Sequence, residues 1–179
     1  MVYVFLADGF EEIEALAPVD ILRRGGVEVS TVGVGKKTVA GAHGIPILCD
    51  LSEDEMNLEN MEAVVLPGGM PGTLNLQKSE AVKSALHFAA QGEKLIGAIC
   101  AAPSILGKAG LLKGKRATCF PGFEKYLEGA EICDLPAVID GNIITSRGAG
   151  AALEFGFSIL AAIKGDSAAD KLRLDMKYV

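Results

Sequence analysis

One cysteine in this chain stands where an α/β fold puts its chemistry. The apolar run Leu95-Ile96-Gly97-Ala98-Ile99 ends at Cys100, and Ala101, Ala102 and Pro103 lead into a helical pattern. That order reads as a buried strand, a tight turn and a helix start, with a thiol at the turn. Ligands and reactions in such sheets collect at the carboxyl ends of strands. Unpaired N–H groups and the positive end of a helix dipole favour a thiolate there. The competing reading is a structural residue, since free cysteine often serves as a small core hydrophobe. The strand end, the small residues and the helix start together argue for a nucleophile, although G-x-S-x-G itself is absent.

A nucleophile of this kind needs an oxyanion site and a proton carrier. Pro67-Gly68-Gly69 closes a second apolar run, Ala63–Leu66. Glycines there let backbone N–H groups face an incoming oxygen, although a plain βα turn uses the same residues. The N–H of Ala101 is the second candidate donor. Glu14 is the candidate proton carrier. With Phe10, Ile13, Ala17 and Ile21 as the apolar arc of its helix, a step of about 100° per residue places Glu14 near Phe10 and Ile21, and Glu11 and Glu12 outside. A carboxyl buried on that face has a raised pKa and stays protonated; at the edge of the face it reaches water instead.

Other reactive side chains have weaker settings. His87 shares a polar face with Glu80 and Lys83, and His43 lies in the glycine-flanked loop Ala42-His43-Gly44. No base for a cysteine–histidine hydrolase is evident. Cys49, Cys119 and Cys133 read as core or surface thiols. Gly33-Val34-Gly35-Lys36-Lys37-Thr38 lacks phosphate-loop spacing. In Gly148-Ala149-Gly150, Leu153 occupies the third glycine position of a dinucleotide fingerprint, so close helix–sheet packing is the better reading.

The elements that must hold these residues follow from apolar patterning. Val2–Ala7, Glu28–Val34, Ala63–Leu66, Leu95–Ile99 and Arg116–Phe120 read as strands, and Ala137–Asp140 with Asn142–Ser146 as a tight hairpin about Gly141. Lys36–Gly44 is a turn-rich excursion, and Ser52–Met56 a short helix or turn. Helices are expected over Phe10–Arg24, Ser79–Gln91, Pro103–Leu112, Gly150–Lys164 and Ser167–Met176. Pro18 is expected to kink or split the first. Alternating strands and helices imply a mostly parallel sheet covered on both faces, in one domain spanning residues 1–179.

Composition narrows the function classes. A net charge of −6 and a pI near 5.0 supply no basic footprint for nucleic acid or an anionic membrane as main partner. No apolar run reaches membrane-span length, and the first residues lack a basic leader. The four cysteines show no close-pair metal spacing. Reduced thiols in the cytoplasm, with no metal or other cofactor, are expected.

Several segments in register resemble the ThiJ/PfpI superfamily, and within it the glyoxalase III-like branch of the parkinsonism-associated protein deglycase. They are ADGFEEIEALAPVDILRRGG (7–26), VVLPGGMPGTLNL (64–76), GAICAAPSIL (97–106), ITSRGAG (144–150), LEFGFSIL (153–160) and the terminal DSAADKLRLDMKYV (166–179). The resemblance implies a flavodoxin-like three-layer sandwich and a homodimer. It implies Cys100 as the reactive cysteine, Glu14 as a protonated carboxyl beside its sulfur, and Gly69 with Ala101 at the oxyanion position, next to Gly68. It also implies a cofactor-free glyoxalase or deglycase acting on a small carbonyl substrate such as methylglyoxal. Redox sensing or holdase behaviour through the same sulfur is the alternative. Ala101 stands where protease-like members carry histidine, which argues against a peptidase. Phe120 stands where some members of the branch carry histidine, and Met70 replaces a polar residue of others. Arg147 matches the family's SRG segment without an evident role.

Overall fold

Short apolar strands build the centre of the protein. The structure, a computed structural model, describes residues 1–178; Val179, the end of the terminal segment quoted above, lies outside them. In chain order the elements are β1 (Val2–Leu6), α1 (Glu12–Arg24), β2 (Val29–Gly33), β3 (Thr38–Ala40), β4 (Pro46–Leu48), β5 (Leu51–Ser52), β6 (Ala63–Leu66), α2 (Gly72–Lys78), α3 (Glu80–Gln91) and β7 (Leu95–Ile99). There follow α4 (Pro103–Lys108), β8 (Arg116–Ala117), β9 (Glu131–Ile132), β10 (Ala137–Asp140), β11 (Ile143–Ser146), α5 (Ala152–Lys164) and α6 (Asp166–Asp175).

Seven strands form one sheet in the order β10-β11-β7-β6-β1-β2-β5. All neighbours are parallel except β10 and β11. The order β2-β1-β6-β7-β11 is that of a flavodoxin-like sheet, with its switch point between β1 and β6. Side chains alternate between the faces. Val2, Val4 and Leu6 pack with Ile21, Leu22, Phe155 and Ile159 on one face, and Tyr3, Phe5 and Ala7 with Val82, Leu86, Ile105 and Leu106 on the other. Gly97 lets α5 ride close on β7: a Cβ there would meet Phe155 at 3.1 Å and Ile159 at 3.3 Å. No helix among the described residues is long and apolar enough to cross a membrane.

Two expectations change. α1 runs unbroken through Pro18, so the helix is not split there. Pro18 is buried, with its Cα 3.1 Å from where a Cβ on Gly156 of α5 would sit. Burial against α5 outweighs a proline penalty of about 3 kcal/mol. The segment Arg116–Phe120 joins no strand of the main sheet. Only β8 is extended, paired with β9, because Thr118 N donates to the Thr145 hydroxyl at 2.9 Å and Phe120 N to the Cys100 carbonyl at 2.8 Å. These bonds draw the segment over the carboxyl edge of the sheet.

Candidate active site

The carboxyl ends of β1, β6 and β7 converge at the switch point. Cys100 follows β7 in the left-handed region, with φ 64°, a conformation that costs a non-glycine residue about 1–3 kcal/mol unless its surroundings enforce it. Here they do. Cys100 N donates to the Ser146 carbonyl, the Cys100 carbonyl accepts from Phe120 N, both at 2.8 Å, and Ala102 N donates back to Ile99 at 3.0 Å. The result is an elbow that turns the thiol off the strand end before α4 begins at Pro103.

Glycines allow the β6–α2 turn to interlock with the β1–α1 turn. Gly69 has φ 87°, and a Cβ there would collide with the backbone of Gly9, Phe10 and Glu11. Glu11 N donates to the Gly68 carbonyl at 3.0 Å, and Gly72 N to Gly9 at 3.1 Å. Thr73 anchors the Gly69 carbonyl through both its N–H and its hydroxyl, each at 2.9 Å. A Cβ on Gly68 would sit 2.6 Å from the Glu14 carboxyl oxygen and 3.1 Å from Cys100 Sγ. Only glycine leaves room for acid and thiol to meet there.

Glu14 is 1% exposed. Burial pushes its carboxyl up to about 7, against the hydrogen bonds from the Cys100 thiol and Gly68 N–H, and the nearby Glu11 carboxylate adds to the rise. Cys100 is pushed up to about 12 by burial, then by the charge and hydrogen bond of Glu14; the N–H groups of Ala101 and Gly69 pull the other way. The expected helix-stabilised thiolate is therefore corrected. Burial and a neighbouring carboxylate outweigh two N–H donors. Acid and thiol titrate as a pair, whose first proton leaves near neutrality.

The site residues named from sequence meet in space, with one reassignment. Gly68 N donates to Glu14 Oε2 at 2.9 Å, so it holds the acid, while the N–H groups of Gly69 and Ala101 face the sulfur. Glu12, placed outside the apolar arc, is instead buried, whereas Ile13, placed on it, is 49% exposed. Glu12 reaches across to the β3–β4 loop. Its Oε1 accepts from His43 N at 2.8 Å and Ile45 N at 3.5 Å, and its Oε2 lies 2.9 Å from His43 Nδ1. Glu11, Glu12 and His43 are the one group among the described residues whose ligand atoms lie within 4.8 Å of one another, near enough to share a metal ion. Both Glu12 oxygens already serve the loop. His87 is exposed. Cys49 and Cys119 are buried, and burial raises both thiols to about 11.

Two clefts lie against segments bonded to the elbow, through Phe120 and Ser104. One of about 870 Å³ extends past Phe120 and Gly148 and holds Arg147, ion-paired to exposed Asp134 at 3.3 Å. The other, of about 250 Å³, opens beside Met70 and Ser104.

Comparison with known proteins shows the family. The DJ-1/PfpI family model matches residues 1–162. The Parkinson disease protein 7 homolog of Danio rerio is 38% identical over 95% of this chain and 93% of its own. A deglycase of Pyrococcus abyssi is 34% identical over 82% of this chain and 89% of its own. A structure described as Toxoplasma gondii DJ-1, oxidized, superposes with a TM-score of 0.95 at 30% identity, covering 99% of this chain and 98% of that one. Two DJ-1 homologs of Arabidopsis thaliana are longer, and the chain spans 38% and 45% of their lengths. With its sheet order, its strained cysteine elbow and a family match over most of its length, the chain belongs to the DJ-1/PfpI family.

Proposed function

We propose that the protein is a cysteine-dependent, cofactor-free glyoxalase of deglycase type, converting 2-oxoaldehydes such as methylglyoxal to 2-hydroxy acids. The observation that carries this is the buried Cys100–Glu14 pair, with its acid raised to about 7. Near neutral pH the working form holds one proton, a thiol beside a carboxylate. Glu14 takes the thiol proton as sulfur attacks the aldehyde carbon, and returns it to the new oxyanion, which lies against the N–H groups of Gly69 and Ala101. The hemithioacetal then loses its C1 proton to Glu14 while the C2 oxygen takes a proton from solvent water, giving an enediol. Protonation of C2 by Glu14, and return of the C1 hydroxyl proton to solvent, leave a thioester of lactate. Water releases lactate and restores the thiol.

The name of the Pyrococcus abyssi relative supports the deglycase class. A homodimer in the cytoplasm is part of the same reading; exposed Ile13, Ile45 and Leu48 beside the β3–β4 loop offer it an apolar face. The test is methylglyoxal turnover in amine-free buffer. Cys100→Ala is expected to lose at least a hundredfold in kcat/KM, and retained turnover sinks the proposal.

A second reading has its own support. A protonated Glu14 donates well to an oxidised sulfur, and the Toxoplasma gondii relative is described as oxidized. Mass spectrometry after mild peroxide separates the two uses. Selective sulfinate at Cys100 with negligible aldehyde turnover favours sensing.

A further inference from the structure

The geometry points to an aryl-tail pocket in the 250 Å³ cleft, which makes aromatic 2-oxoaldehydes the substrate class this site prefers. The chemistry rests on the glyoxalase reading above; the pocket itself does not. Its position follows from the residues that flank the sulfur. Met70 succeeds Gly69, and the Ser104 hydroxyl donates to the Ala101 carbonyl at 2.6 Å, so two residues of the cleft wall adjoin, one along the chain and one through a hydrogen bond, the residues whose N–H groups face Cys100. A tail on the second carbon of a substrate bound at the sulfur has this cleft as its neighbour.

The walls fit an aryl group. Met70, Leu74 and Tyr126 are 49%, 42% and 38% exposed, and they lie together on this one cleft. Exposed large apolar side chains gathered beside polar neighbours mark binding surfaces. Phe123 and Tyr126 form a tilted ring pair, with centroids 5.8 Å apart and planes at 55°. An incoming ring extends such an edge-to-face arrangement. The ammonium groups of Lys108 and Lys125 each lie 5.1 Å from the Tyr126 centroid, placing cations at the rim for a further π face. Three polar wall atoms are already bonded: Thr73 Oγ1 to Gly69 O, Ser104 Oγ to Ala101 O, and Gln77 Oε1 to Lys108. An apolar tail therefore strands none of these three. The larger cleft differs, since Glu124, Asp134 and Glu154 face it together with Arg147.

The test compares kcat/KM for phenylglyoxal with that for methylglyoxal in wild type, Leu74→Ala and Tyr126→Ala, all checked for folding by thermal melts. The phenylglyoxal to methylglyoxal ratio is expected to fall about tenfold in each variant, the size of a typical apolar pocket contribution. A ratio within twofold of wild type in both overturns the pocket. If wild type turns over neither aldehyde, the glyoxalase reading fails on its own. The pocket is then read by titrating benzoylformate, an aryl 2-oxo acid, into wild type and Tyr126→Ala by NMR. Binding lost in the variant supports it, and equal or absent binding rejects it.

Discussion

Two carboxyl groups at the start of α1, Glu12 and Glu14, are buried to nearly the same degree, 7% and 1% exposed, yet they titrate in opposite directions. Burial pushes Glu12 up as well, but the His43 ring and the N–H groups around it outweigh burial and hold the carboxyl below its ordinary range. Glu14 receives one backbone N–H, from Gly68. Its other neighbour is a thiol that must keep or share a proton, and Glu11 adds negative charge. Burial alone does not set the protonation state; the supply of donors does. The Glu12 region is a clamp that ties α1 to a loop. The Glu14 region leaves a carboxyl short of donors beside a nucleophile, where a structural role gains nothing from it.

The comparison breaks most visibly in turnover. Under the proposed chemistry Glu14→Gln keeps the shape and removes the proton carrier, so kcat/KM for methylglyoxal is expected to fall about 10²–10⁴-fold. Wild-type kcat/KM is expected to rise with pH through about 7, as Glu14 becomes a base, and the variant's residual rate to lack that rise. A pH–rate profile of both proteins measures this. A Glu14→Gln enzyme with wild-type rate and the same inflection reduces Glu14 to a packing residue.

How much of this was legible in the sequence differs between the two glutamates. Cys100 could be placed because a strand end, small residues and a helix start are all local patterns, and the mostly parallel sheet followed from strand–helix alternation. Glu14 could be placed because four-residue spacing puts it on the face of Phe10. Glu12 was missed for the same reason. A helical wheel records only its own helix, and the partner of Glu12 arrives from the β3–β4 loop, over thirty positions away. The wheel also treated Phe10 as helical, although α1 starts at Glu12, which rotated the arc toward Ile13. The thiol's raised pKa was out of reach as well. It depends on Gly68 letting two side chains meet, a contact between α1 and the turns after β6 and β7 that no single segment encodes.

Next in size is a stability effect. Below 4.5, the ordinary glutamate value, folded and unfolded chains both hold the Glu14 proton. Between 4.5 and about 7 the unfolded chain has lost it while the folded protein keeps it, so stability falls as pH rises. The interval of 2.5 units corresponds to on the order of 3 kcal/mol, lost by the time pH has passed through the folded value. Urea unfolding of wild type and Glu14→Gln at pH 5 and pH 8 isolates the effect. The wild type is expected to lose ground to the variant on going to pH 8. A constant difference between the two proteins removes the raised pKa.

The smallest effect belongs to the clamp. Glu12→Gln retains one acceptor oxygen for the His43 and Ile45 N–H groups, but it loses the charge that strengthens those bonds and the pairing with the imidazole. A loss of about 1–2 kcal/mol is expected, roughly the margin by which hydrogen bonds to a charged group exceed neutral ones, with methylglyoxal kcat/KM within about twofold of wild type. The two measurements separate the regions. If Glu12→Gln costs turnover as heavily as Glu14→Gln does, the clamp is not merely structural, and the loop carrying His43 reaches into the chemistry. If it costs stability alone, α1 holds a structural acid and a reactive one two residues apart, told apart by how many N–H groups each was given.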